Sequence, residues 1–163
     1  MAPGEIVVRE AVVDDAATLA TLIRRLGTAT GEAHKVTSRA EDFARHGFGA
    51  SPAFHSLLAE REGEACGLAL WFYNFSSWRG DLGAYLLDLY VDETERGTGL
   101  GRRLLLETAR RARAGGATHL RLSVASDNDG ARAFYAHLGF TYRDDECIYQ
   151  VSDAAFDALA DQP

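Results

Sequence analysis

The segment Arg96-Gly97-Thr98-Gly99-Leu100-Gly101 places glycine at every second position and is followed by Arg102 and Arg103. Glycine lets a backbone turn sharply and lets a ligand approach with no Cβ in the way. Successive N–H groups in such a turn converge on an anion. The first turn of the helix that follows adds unsatisfied donors and the positive end of its dipole. The chemistry this suits is the binding of a diphosphate, with arginines supplying mobile positive charge; a glycine turn that only lets helix and strand pack closely is the structural alternative. Two further residues stand out. Asp88 is a lone carboxylate in the apolar run AYLLDLYV (84–91), and a carboxylate among apolar neighbours needs a partner or a task. It would attract a cationic amine or take its proton through water, or else bond backbone or an arginine structurally. Tyr135 sits in ARAFYAHLGF beside an apolar stripe of Phe134 and Leu138, where periodicity alone reads it as packing with its hydroxyl at the rim.

Other chemistries lack their residues. A dinucleotide-binding turn needs G-x-G-x-x-G, and Arg102 stands where the third glycine would fall; a P-loop needs Lys followed by Ser or Thr where the chain has Arg102-Arg103. The histidines at 34, 46, 55, 119 and 137 show no ligand spacing, so no metal site is expected. Cys66 and Cys147 lack basic surroundings and read as two free thiols of a reducing compartment. No G-x-S-x-G elbow is present, which with the cysteines argues against a covalent acyl-enzyme.

The elements that must hold these residues follow from the pattern. EIVVREA (5–11) reads as a strand and DDAATLATLIRRL (14–26) as a helix with an apolar stripe of Leu19, Leu22, Ile23 and Leu26. A loop (27–37) leads to a short helix over 38–48. Residues 53–73 read as two strands around a turn at Glu62-Gly63, and SSWRGDLG (76–83) as a second turn. The run 84–91 reads as a central strand, apolar on both faces apart from Asp88. A helix over 99–116, a strand over 119–125, a helix over 129–139, closing strands in FTYRD and CIYQV, and a tail helix near 153–160 complete the order. The fold class is mixed α/β: a mostly antiparallel central sheet flanked by helices, with one parallel crossover around 84–124, in a single domain spanning 1–163.

Composition limits the partners. The 163 residues carry a net charge of −7, which argues against sequence-independent binding to nucleic acid. No run of 18 apolar residues suggests a membrane span, and the opening MAPGEIVVREA lacks a leader pattern.

The glycine segment, in its strand–loop–helix setting LDLYVDETERGTGLGRRLL, resembles the Q/R-x-x-G-x-G/A signature of the GNAT superfamily of acyl-CoA N-acyltransferases. A second segment some 30 residues on, SDNDGARAFYAHLGF, is similar to that family's N-x-x-A-x-x-x-Y-x-x-x-G-F motif through Asn128, Ala131, Tyr135, Gly139 and Phe140. LIRRL, FARHGFGASPAFHSLLAE and WFYNFSSWRG resemble the diamine and polyamine N-acetyltransferase branch, which includes thialysine acetyltransferases. The resemblance implies an N-acetyltransferase in which acetyl-CoA and a small-molecule amine bind together and the amine attacks the thioester directly. It implies that Leu89, Tyr90 and Val91 pair by their backbone with the pantetheine arm, and that Arg96, Gly97, Thr98, Gly99, Leu100, Gly101 and Arg102 hold the pyrophosphate. It implies that Asn128 and Ala131 flank the arm and that Tyr135 is the general acid. Asp88 and Trp78, with Phe75, become candidates for the acceptor pocket. A cytoplasmic homodimer needing no metal completes what is implied. The polyamine enzymes carry a glutamate at the position of Leu87 and aromatic and acidic residues where this chain has TATGEA, so a smaller amine or an amino acid analogue fits better than a long polyamine. A non-catalytic acyl-CoA sensor and a transferase acting on proteins or peptides are the competing functions.

Overall fold

The first two thirds of the chain fold as the alternation of strand and helix patterns suggests. The computed structural model describes residues 4–162. The chain divides into two compact units, Met1–Ser123 and Val124–Pro163.

The first unit is a five-stranded sheet with strands in sequence order, β1 (Ile6–Glu10), β2 (His55–Arg61), β3 (Glu64–Ser76), β4 (Asp81–Val91) and β5 (Leu120–Leu122). The first four pair antiparallel and β5 joins β4 in parallel, the mixed and mostly antiparallel sheet expected. Helix α1 (Ala16–Ala29) lays the stripe Leu19, Ala20 and Leu22 on one face, against Leu58, Leu68, Leu70 and Tyr90. Phe43 of α2 (Ala40–His46) joins the same cluster. Helix α3 (Leu100–Ala114) buries Leu104, Leu105, Thr108 and Ala112 and contacts β2, β3 and β4. Leu104 meets Gly67 of β3 on the face away from α1. Each fully buried leucine in these layers contributes about 2 kcal/mol. With a helix on either face, β2 to β4 are apolar on both sides.

One expected strand is shorter than its pattern. The run 119–125 is strand only over Leu120–Leu122, whose partners on β4 are Ala84, Tyr85 and Leu86. The central strand β4 therefore has a second neighbour for only part of its length.

In the second unit, α4 (Asp129–His137) begins at Asn128, whose Oδ1 accepts from the Ala131 N–H at 3.1 Å, and α5 (Asp153–Ala160) falls where the pattern places a tail helix. The closing strands expected in FTYRD and CIYQV do not form. Arg143 pairs instead with its near neighbours Asp145 and Glu146, and Ile148 and Tyr149 stand in solvent. A β-rich pattern becomes a strand only where a ladder receives it.

Candidate active site

The two ends of β4 face different neighbours. Near its start, the Ala84 N–H donates to the His119 carbonyl on the β5 side. Just past its end, the Asp92 N–H donates to the Cys66 carbonyl on the β3 side. Both residues are even-numbered, and a regular strand alternates its main-chain groups with period two. One extra residue must therefore lie between them. It is Leu87: Leu86 opposes Trp71, Asp88 opposes Leu70, and Leu87 has no partner. This β-bulge re-aims everything after it. Asp88 and Tyr90 direct their main-chain groups to β3, while Leu89 and Val91 direct theirs to the opposite edge. β5 stops at Leu122, opposite Leu86, and no other strand of the first unit pairs with that edge. Of the three residues expected to offer backbone to an extended ligand, Leu89 and Val91 turn their main-chain groups to this edge and Tyr90 turns its own to β3.

The glycine segment begins where that edge ends. A 3-10 turn over Glu93–Glu95 leads into Gly97 and Gly99, whose φ angles are 78° and 87°. These are left-handed conformations that cost other residues about 1–2 kcal/mol. A Cβ built at either position meets nothing within 4 Å, so the glycines serve conformation and leave open space in front of the loop rather than close packing. Gly99 caps α3, and Arg103 is the first residue whose N–H closes back onto it, at 3.0 Å. The N–H groups of Leu100, Gly101 and Arg102 are left without intrahelical partners. The Thr98 hydroxyl ties the turn by donating to the Glu95 carbonyl at 2.7 Å, and Arg96 Nε donates to the Val91 carbonyl at 3.3 Å. Arg103 is committed elsewhere, to the Ile6 carbonyl.

A long-range ion pair anchors this loop. Glu95, 9% exposed, receives two hydrogen bonds of 2.8 Å from the Arg61 guanidinium at the end of β2. The guanidinium holds the Glu95 carboxyl below its ordinary range. Nothing in the sequence signals this pair, since 34 residues separate the partners and neither is singled out by a motif.

Asp88 and Tyr90 alternate on the α1 face of β4. The Asp88 side chain makes no hydrogen bond and no ion pair among the described residues, so the purely structural role left open for it is not taken up. Burial pushes its carboxyl up to about 6. Tyr90 is buried and its hydroxyl donates to Asp92 Oδ1 at 2.8 Å. Trp78 stands fully exposed at the tip of the β3–β4 hairpin, about 20 Å along the strand from Asp88 by the rise of an extended chain. The structure does not bring the two into one pocket, because a tight reversal points its tip side chains at solvent. Phe75 is exposed as well, while Trp71 is core. In the second unit, the half-buried Tyr135 ring packs edge-to-face on Phe134 and Phe140, at 5.1 and 5.5 Å. Asn128 and Ala131 are joined to each other by the cap of α4. Cys66 is buried, with its thiol pushed up by desolvation, and Cys147 is exposed. Among the described residues no cluster of His, Cys, Asp and Glu has the makings of a metal site.

A split strand edge running into a left-handed glycine turn and a helix start is the arrangement to set beside known proteins. The Acetyltransferase (GNAT) family profile matches residues 19–140. The chain belongs to the GNAT family of acetyltransferases. The cattle thialysine N-epsilon-acetyltransferase is 32% identical over 142 residues, covering 82% of this chain and 83% of that protein. The mouse protein of the same name is 33% identical over 140 residues, covering 81% and 82%. Among solved structures, an aminoglycoside acetyltransferase from an uncultured soil metagenomic sample superposes with a TM-score of 0.77 at 17% identity, covering 90% of this chain and 95% of that one. This GNAT chain is therefore an N-acetyltransferase of the branch its sequence resembles.

Proposed function

We propose that the protein transfers the acetyl group of acetyl-CoA to a primary amine of a small molecule, by direct attack within a ternary complex, and that residues 1–163 work as one domain in doing so. The observation that carries this reading is the edge at Leu89 and Val91, left without a partner strand in the first unit and continuous with the glycine turn. An extended amide-bearing arm pairs with such an edge as an added strand, and its pyrophosphate meets the free N–H groups from Gly97 to Arg102. A main-chain donor on this edge faces the thioester oxygen as negative charge develops there.

Asp88 supplies the acceptor side. With its carboxyl raised toward neutrality and no protein partner among the described residues, it accepts through water the proton that the substrate ammonium loses to become the attacking amine. Tyr135 returns a proton to the departing thiolate, and Asn128 and Ala131 flank the arm. No residue of the chain is acylated: the C–N bond forms as the C–S bond breaks, one proton leaves the amine and one reaches the sulfur. The thialysine and aminoglycoside acceptors named for the relatives support a small amine. We further propose a cytoplasmic homodimer; Phe75 and Trp78, exposed at the hairpin tip, support a second copy, and sedimentation tests it. Among the described residues no helix is long and apolar enough to cross a membrane.

Initial velocities measured against both substrates test the mechanism. Intersecting double-reciprocal lines are expected for a ternary complex. Parallel lines, with acetyl retained on the protein after gel filtration, would contradict it.

A further inference from the structure

On the sheet face that packs against α1, the cluster with that helix includes Leu68 and Leu70 of β3. Phe72 and Asn74 follow on the same face, since a strand alternates with period two. The register fixes their neighbours on β4: Asp88 opposes Leu70, Tyr85 opposes Phe72 and Gly83 opposes Asn74. The Phe72 and Tyr85 rings stack across the strands, with centroids 5.3 Å apart and planes at 25°. Phe72 is therefore the diagonal neighbour of Asp88, about 7–8 Å away and within reach of an aromatic side chain. Both rings are only half-buried, and β2, which begins at His55 opposite Trp71, supplies no strand neighbour to Phe72. Leu87, the bulged residue before Asp88, is 54% exposed.

The charges beside this pair are sparse and one-sided. Between Asp88 and the hairpin, the only other carboxylate on β3 and β4 is Asp81. Asp81 is taken up by Arg79 at 3.0 Å and by the Thr118 hydroxyl at 2.7 Å. The Tyr85 hydroxyl is tied to Ser123 Oγ, and Arg121 of β5 stands opposite Tyr85. A ligand held at Asp88 and extending toward the hairpin thus meets apolar ring surface and then a cation. A second ammonium placed there would lose water and find no carboxylate.

We propose that the stacked Phe72–Tyr85 pair receives the substituent of the acceptor amine and selects an apolar monoamine, with its one ammonium at Asp88. The proposal rests on the acetyltransferase reading above and narrows the class of acceptor. Along β4, Asp88 lies between the aromatic pair and the edge at Leu89, so the reacting nitrogen sits on the edge side and the substituent on the ring side.

Six-carbon amines of matched length test it: hexylamine, 1,6-diaminohexane and 6-aminohexanoate. Each is followed by thiol release from acetyl-CoA and by calorimetry on the CoA-saturated protein. From propylamine to hexylamine, kcat/KM is expected to rise about three- to fourfold per added methylene. Hexylamine should exceed the diamine and the aminohexanoate roughly tenfold. Tyr85→Glu puts a carboxylate where the second ammonium of the diamine falls and should reverse the order of hexylamine and diamine, with retained CoA binding as the check that the variant folds. Should it lose CoA binding, the length series and the order of the three amines on the parent protein decide alone. Equal use of the three amines, no dependence on chain length, or an unchanged order in a Tyr85→Glu protein that binds CoA overturns the proposal. A preference for 6-aminohexanoate also overturns it, because Arg121 would then be holding a carboxylate. If the amines bind in the expected order yet none releases thiol, the aromatic subsite stands and the enzymatic reading falls.

Discussion

Replacing Asp88 by Asn should make the protein more stable at neutral pH while removing its activity. The carboxyl titrates at about 6 in the fold against a reference of 3.8, because burial disfavours its charged form. A difference of about two units corresponds to roughly 3 kcal/mol of destabilisation once the group is ionised in both states. The sign follows from where the proton sits. Below about pH 4 the carboxyl is protonated in folded and unfolded chains alike, and the penalty is absent. Between about 4 and 6 the unfolded chain releases its proton first, so the folded state loses ground as pH rises. Above about 6 the penalty is complete. An amide of the same shape never ionises, so Asp88→Asn should gain about 2–3 kcal/mol at pH 8 and close to nothing at pH 4. For a chain of this size the gain at pH 8 is a rise in melting temperature on the order of 5–10 °C. Urea titrations of both proteins at the two pH values read the difference directly, and titrations common to both, such as Glu95 with Arg61, cancel in it. A variant no more stable than the parent at pH 8, or equally stabilised at both pH values, would refute the burial of an unpartnered carboxylate. The parent's kcat/KM should climb with pH to a plateau beyond about 6, an arm the variant lacks.

Three other substitutions separate the parts of the site. Gly99→Ala should cost about 1 kcal/mol of stability, since alanine is strained at a φ of 87° though nothing lies near its Cβ, and should weaken CoA binding by more than that strain explains, read by equilibrium binding. Glu95→Gln breaks the pair with Arg61 and should lower stability at neutral pH. The parent should lose the same contribution as acid protonates Glu95, whose carboxyl the guanidinium holds low, and thermal melts against pH read both. Tyr135→Phe should lower kcat by roughly 10²–10⁴-fold with little change in acetyl-CoA affinity; a normal kcat with weaker binding would make the residue a packing group.

What the sequence makes legible is what local chemistry decides. The apolar stripe of α1 and the turn at Glu62-Gly63 can be read directly, as can the left-handed glycines ahead of α3, because each depends on residues a few positions apart. The bulge at Leu87 cannot be read, because an apolar strand buried on both faces carries no alternation in which an extra residue would show. The resemblance names Tyr90 together with Leu89 and Val91, although past the bulge its main chain faces β3. The closing strands fail for a related reason: short β-rich runs record a propensity, and the ladder that would use it is a long-range fact. Arg61 and Glu95 meet only because the sheet brings distant segments together. The kind of side chain at Trp78 suggests an acceptor pocket, while its place at a hairpin tip depends on where the chain reverses.

The account is tested most directly by following thiol release from acetyl-CoA in the presence of lysine-like amino acids, polyamines, aminoglycosides and peptides, with the product identified by mass. It predicts turnover with a small primary amine, a gain of one acetyl group on that amine, and loss of turnover in Asp88→Asn. Tight binding of acetyl-CoA with no thiol released by any amine, or turnover confined to peptides, would contradict it.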